Sequence, residues 1–228
     1  MRKTCSTFEE IRRRDRHSVA KGSMFKSEGE DSHARYYVVA GWLAASKSLG
    51  DGEQQILEFV LPGETCDPTG VDGRTSFVQL EALCDAVIVP IDMTTWAQLL
   101  RDNTDLRESE RRRDIAAQAR QSERMLRLGQ ANAETRIAYV LIELCIRVSG
   151  CGAKCDGAFH VPLGQQQLGD FTGLSSVHVC RTLRRLNRVG VIWTGDHMDI
   201  KIKDLPALAE LAQVDLAELR KEITTGAA

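Results

Sequence analysis

Gln165-Gln166-Gln167-Leu168-Gly169-Asp170-Phe171-Thr172-Gly173-Leu174-Ser175-Ser176-Val177-His178-Val179-Cys180-Arg181-Thr182-Leu183-Arg184-Arg185-Leu186-Asn187-Arg188-Val189 decides how this chain is read. Pro162 stands just ahead of a short polar helix predicted over Gln165 to Phe171. Thr172-Gly173-Leu174 is a turn, because glycine accepts backbone angles that other residues avoid. Ser175 is a good N-cap for a second helix reaching Val189, whose apolar residues Val179, Leu183 and Leu186 share one face. Two helices joined by a glycine-bearing turn form the bihelical unit that reads DNA in the major groove. Beyond it, Gly190 to Asp196 and Met198 to Ile202 alternate as two strands around a Gly-Asp turn, which supplies a wing.

The second helix carries its charge on one side. Arg181, Arg184, Arg185 and Arg188 are spaced as a single stripe, with no acid between Ser175 and Val189. A stripe of guanidinium groups suits phosphates. Arg181, nearest the helix start, is placed to reach a base edge, where guanine offers paired acceptors, and the others face the backbone. Four arginines on a helix are more often a solvated face. Placed behind a helix-turn and before a wing, the binding reading outweighs that one.

The segment 94–148 has no proline and Gly129 as its one glycine, and reads as a long helix broken or bent near Gly129, followed by a second helix. Leu106, Ile115, Ala119, Met125 and Leu126 give it a narrow apolar seam, suited to a two-helix contact between copies of the chain. From Ser23 to Ile91, apolar runs at Tyr36 to Ala40, Ile56 to Leu61 and Ala86 to Ile91 alternate with turn signals such as Pro62-Gly63 and Asp72-Gly73. That spacing predicts a small antiparallel barrel or sandwich. The fold class is therefore α+β, in three parts: a β-roll sensor domain over 1–105, a dimerisation helix over 106–130 and a winged helix-turn-helix over 131–228.

Composition bounds the rest. With 228 residues, 43% hydrophobic and 27% charged, the chain has enough apolar surface for two cores. A net charge of -2 does not announce a nucleic-acid partner, so that reading rests on where the charges sit. No run of 18 apolar residues and no signal-peptide core appears, which predicts a cytoplasmic protein with no membrane partner. Seven scattered cysteines read as reduced thiols. Cys145, Cys151 and Cys155 do not have a zinc spacing; the simpler reading is a buried Cys145 with two loop thiols.

The stretch from Pro162 to Leu186, with its Val177-His178-Val179-Cys180-Arg181-Thr182-Leu183 core, closely resembles the helix-turn-helix of the Crp/Fnr superfamily of transcription regulators. Arg136 to Leu144 resembles the helix after that family's dimerisation helix, while Tyr37 to Gly41 and Leu49 to Gly63 resemble its cyclic-nucleotide-binding-like β-roll. The resemblance implies a homodimer on a palindromic operator, with double-stranded DNA and RNA polymerase as further partners. It places Ser176, Val177, Cys180 and Arg181 at base-reading positions and Gln165, Gln166 and His178 at phosphates, which Arg184 joins from the arginine stripe. Many relatives carry Glu where Val177 stands, so the resemblance does not carry their half-site sequence over to this chain. Cys180, beside Arg181 in that groove-facing position, is a candidate redox switch.

Three effector classes bear on the sensor domain. An iron-sulfur cluster needs four thiolates, and the N-terminal region where such members carry theirs has only Cys5. A cyclic nucleotide would meet Glu64, Arg74, Thr75 and Ser122 by the family's spacing, although Thr65-Cys66-Asp67-Pro68 breaks the short helix expected there. Haem would need a ligand such as His17 or His33. Cyclic nucleotide and haem stay open. The alternative function, from another class, is a small-molecule-binding module whose winged helix makes protein contacts. No catalytic constellation can be assembled, so an enzyme is not expected.

Overall fold

The computed structural model describes residues 15–150, 158–195 and 199–225. Cys5, Cys151, Cys155 and the wing-tip residues Asp196 and Met198 lie outside them. The chain divides into two compact units, Met1–Arg111 and Arg112–Ala228.

The first unit is built on two antiparallel four-stranded sheets. One runs β1 (His17–Val19), β8 (Ala86–Asp92), β3 (Ala34–Ala40), β6 (Thr65–Cys66); the other runs β2 (Met24–Lys26), β7 (Gln79–Ala82), β4 (Leu43–Ser48), β5 (Gln54–Val60). The apolar runs in β3 and β8 are continuous because both faces of their sheet are covered. Val38, Ala86 and Ile88 pack with Leu43, Val60 and Ala82 of the other sheet. Tyr37, Val89 and Ile91 point the opposite way, onto Trp96 of α1 (Met93–Asp102) and Leu106 of α2 (Thr104–Gln130). Strands β3, β5 and β8 coincide with the three predicted apolar runs, whereas β1, β2, β4, β6 and β7 were not expected.

The expected single helix from Thr94 is interrupted at Asn103, and the expected break near Gly129 is displaced to Ala131-Asn132. Both corrections have one cause. Asn103 Oδ1 accepts from Leu106 N at 2.9 Å, and Asn132 Oδ1 accepts from Thr135 N at 3.0 Å, so each asparagine leaves the helix to cap the next one. Gly129 stays inside α2, and α3 follows over Ala133–Gly150.

In the second unit α3 is the central support: Ile137, Ala138, Tyr139, Leu141, Ile142 and Leu144 are all buried. Around it stand α4 (Gln165–Thr172), α5 (Ser176–Arg188), α6 (Leu205–Ala212) and α7 (Leu216–Ile223), with a three-stranded sheet ordered β10 (Ile192–Thr194), β11 (Asp199–Ile202), β9 (Ala158–His160). Strand β9 begins where the sequence suggested only a loop, and His160 Nδ1 lies 2.6 Å from Asp199 Oδ1 across the β11 pairing.

The seam predicted on α2 is rearranged. Leu106 is buried in the first unit and Ala119 is half-buried, while Ile115, Met125 and Leu126 are 50%, 73% and 57% exposed. Ile115, Gln118, Ser122, Met125 and Gly129 are all exposed and follow one another by three and four residues, which aligns them along one side of the helix. The other side buries Ala116, Arg120, Arg124 and Arg127.

Candidate nucleic-acid interface

The geometry of the bihelical unit follows from two glycines. Gly169, inside α4, lets the turn pass so close that a Cβ there would meet Leu174 O at 2.4 Å. Gly173 ends the helix in the left-handed conformation, φ 65°. Helix α5 then starts on Ser175, whose hydroxyl accepts from His178 N and lies 3.1 Å from His178 Nδ1. Val179, Leu183 and Leu186 are buried, each contributing about 1.5–3 kcal/mol of apolar burial. Their burial leaves the remaining faces of the helix outward.

On those faces stand Val177, His178, Arg181, Arg184, Arg185 and Arg188, all exposed, with Ser176 and Cys180 half-buried. Cys180 is therefore less open than its position in the groove-facing sequence suggested. Gln165 and Gln166 are exposed at the start of α4, and Gln166 Nε2 donates to Asp170 Oδ1 at 2.7 Å. The arginine stripe is not uniform. Arg185 Nε lies 3.3 Å from Glu134 Oε1 of α3, an acid that no inspection of α5 alone could find.

A third arginine role was missed at Arg136. Its Nη2 donates to Leu128 O at 2.9 Å, its Nε to Ala131 O at 3.0 Å and its Nη1 to Thr172 O at 3.2 Å. One guanidinium thus serves carbonyls near the C-terminal ends of α2 and α4, where the helix leaves acceptors unsatisfied.

The second unit is further organised around Glu143, which is fully buried. Its Oε1 lies 2.7 Å from Arg124 Nη1, 3.4 Å from Arg147 Nη1 and 3.9 Å from Arg120 Nε. Arg124 also rests 4.7 Å above the Phe171 ring, and so ties α2 to α4.

A sequence-family model for the Crp-like helix-turn-helix domain matches residues 135–211, and one for the cyclic nucleotide-binding domain matches 16–103. The chain belongs to the Crp/Fnr superfamily. It is 28% identical to the nitrogen fixation regulation protein FixK of Azorhizobium caulinodans, over 80% of this chain and 74% of that one. The transcriptional activator protein Anr of Pseudomonas aeruginosa is 26% identical, over 90% and 83%. The fold matches that of FixK2 from Bradyrhizobium japonicum with a TM-score of 0.76 at 23% identity, covering 86% of this chain and 96% of that one. As a Crp/Fnr-type protein it is a DNA-binding transcription regulator.

In this Crp/Fnr chain the residues proposed for an effector are engaged locally. Glu64 Oε2 accepts from Leu61 N at 2.9 Å, inside its own turn. Arg74 is exposed, and Asp72 Oδ1 accepts from the N–H groups of Arg74 and Thr75, both at 3.0 Å. With the Thr75 hydroxyl donating first and these amides following, the Asp72 carboxyl is held down to about 2. Ser122 belongs to the second unit and donates to Gln118 O at 3.0 Å. Where the family's short helix would stand, Thr65 and Cys66 form β6 against Tyr37 and Tyr36. Arg35 fills the neighbouring space: it reaches Thr65 Oγ1 at 3.0 Å, Glu110 Oε2 at 3.1 Å and Asp67 Oδ2 at 3.4 Å, and lies over Trp96. His17 and His33 are both exposed. Cys145, expected to be buried, is half-buried. No helix among the described residues is long and apolar enough to cross a membrane.

Proposed function

We propose that this regulator acts in the cytoplasm as a homodimer on a palindromic operator, reading bases with Ser176, Val177, Cys180 and Arg181 of α5. Gln165, Gln166, His178 and Arg184 contact the phosphates on either side. The observation that carries the reading is the outward stripe of α5, in which Arg181, Arg184 and Arg188 are exposed while Arg185 is held by Glu134. Exposed Ile115, Ser122 and Met125 on one side of α2 supply the self-complementary contact. RNA polymerase is the partner through which bound protein would act on transcription.

A band-shift titration on promoter fragments at two salt concentrations tests the DNA reading. Phosphate contacts demand a steep loss of affinity as salt rises. Salt-independent retention, or none at either concentration, would favour the winged helix as a protein-contact module.

The same reading assigns Cys180 a regulatory role: oxidation to a sulfinate would set negative charge and bulk at the DNA surface. Cys66 provides the internal contrast, because burial pushes its thiol up to about 12 and leaves it unreactive at neutral pH. Peroxide treatment is expected to abolish operator binding of the wild type and to spare Cys180→Ala. Equal loss in both proteins would move the oxidation target elsewhere.

A further inference from the structure

Arg120 and Arg127 lie seven residues apart on α2, two helical turns, and so project from the same side of it. Both side chains are only 8% exposed. Arg120 Nη1 donates to Ile223 O at 3.2 Å, and Arg127 Nη2 donates to Ala212 O at 3.2 Å. Those two acceptors share a property: Ala212 is the last residue of α6 and Ile223 the last of α7. The final carbonyls of a helix have no partner within it and form the negative end of its dipole, so a buried guanidinium at that point satisfies both the hydrogen bond and the charge.

The two arginines are themselves held in place. Arg127 Nη1 donates to Glu123 Oε2 at 2.6 Å, and its guanidinium lies 4.0 Å over the Tyr139 ring. Arg120 Nε stands 3.9 Å from Glu143 Oε1. The helices they hold are anchored as well, for Leu208, Ala212, Leu219 and Ile223 are buried. Helix α6 packs against α3, and recognition helix α5 reaches that same helix through the pairing of Arg185 with Glu134.

We infer that α6 and α7, clamped end-on by Arg127 and Arg120, form a strut that fixes the angle between α2 and the recognition helix, and that these two arginines are positioning residues for operator recognition. The inference rests on the homodimer reading above. In a two-fold dimer formed along α2, that angle sets how far apart the two α5 helices stand. Their separation must match successive major grooves, about 34–36 Å or a multiple of it, so the strut determines which half-site spacing is accepted. Neither arginine touches DNA in this scheme. Losing one should leave each reading head intact while loosening the relation between the two.

The experiment selects operators from a duplex library of inverted half-sites with spacers of varied length, using wild type, Arg120→Gln and Arg127→Gln. Affinity is then measured for the selected palindrome and for a duplex holding one half-site, with thermal unfolding recorded for each protein. The wild type is expected to select one spacer length. The variants should bind the single half-site as wild type does, lose about tenfold or more on the palindrome and accept several spacers. Selection of the same single spacer at undiminished affinity overturns the strut. So does an equal loss on half-site and palindrome, which would mean that the reading head itself is damaged. Should a Gln variant not fold, Arg120→Lys or Arg127→Lys, which keeps the charge without the planar fork, is read against the same outcomes. A wild type that shows no spacer preference at all would instead contradict the homodimer reading.

Discussion

Arg181 and Arg185 differ by one turn of α5 and by what they face. Arg181 is exposed near the helix start, whereas Arg185 Nε already has the Glu134 carboxylate at 3.3 Å. Removing Arg181 as Arg181→Ala should therefore cost about 1–3 kcal/mol on the cognate operator and less on unrelated DNA, because a base contact discriminates and a phosphate contact does not. Fluorescence anisotropy on both duplexes checks this, and equal losses would reassign Arg181 to the backbone. The N-cap on Ser175, the turn glycine at 173 and the apolar positions of α5 were legible because each is a local signal. Glu134 was not, since its partner lies 51 positions further along the chain. The half-buried state of Cys180 was hidden for the same reason, as it depends on what packs beside the helix.

Among the elements, α2 shows how much a helix's neighbours decide. Its composition announced a helix, but which side would be buried depended on α3, α6 and α7. The sequence suggested an apolar seam; the structure adds a buried polar side where Glu143 meets Arg124, Arg147 and Arg120. A carboxylate serving buried guanidinium groups is costly to remove, since uncompensated positive charge would remain. Glu143→Gln is expected to destabilise the protein by about 3–5 kcal/mol, seen as an earlier transition in urea unfolding. A loss below about 1 kcal/mol would mean that solvent already screens the cluster. The last two helices were not expected from the sequence, although each begins on an aspartate N-cap, Asp204 before Leu205-Pro206 and Asp215 before Leu216. Their ends were obscure: Gln213 takes the left-handed conformation, φ 55°, at a position where glycine usually marks the stop.

For the whole molecule, the order of N-terminal β-sheets, long helix and C-terminal helix-turn-helix was readable because strand periodicity, helix composition and turn chemistry change abruptly along the chain. The short strands β1, β2 and β7 were not, having too few residues to set a period. The proposed dimer rests on the exposed side of α2, where Ile115 and Met125 are 50% and 73% exposed. Placing like charges there as Ile115→Glu with Met125→Glu should yield a folded monomer by light scattering at micromolar concentration, with operator binding lost; a persistent dimer would move the interface elsewhere. The most direct test is the stoichiometry of the complex with a selected palindromic duplex, measured by sedimentation velocity. Two chains per duplex at every saturating concentration is the predicted result. One chain per duplex, with the same affinity for a half-site as for the palindrome, would contradict it.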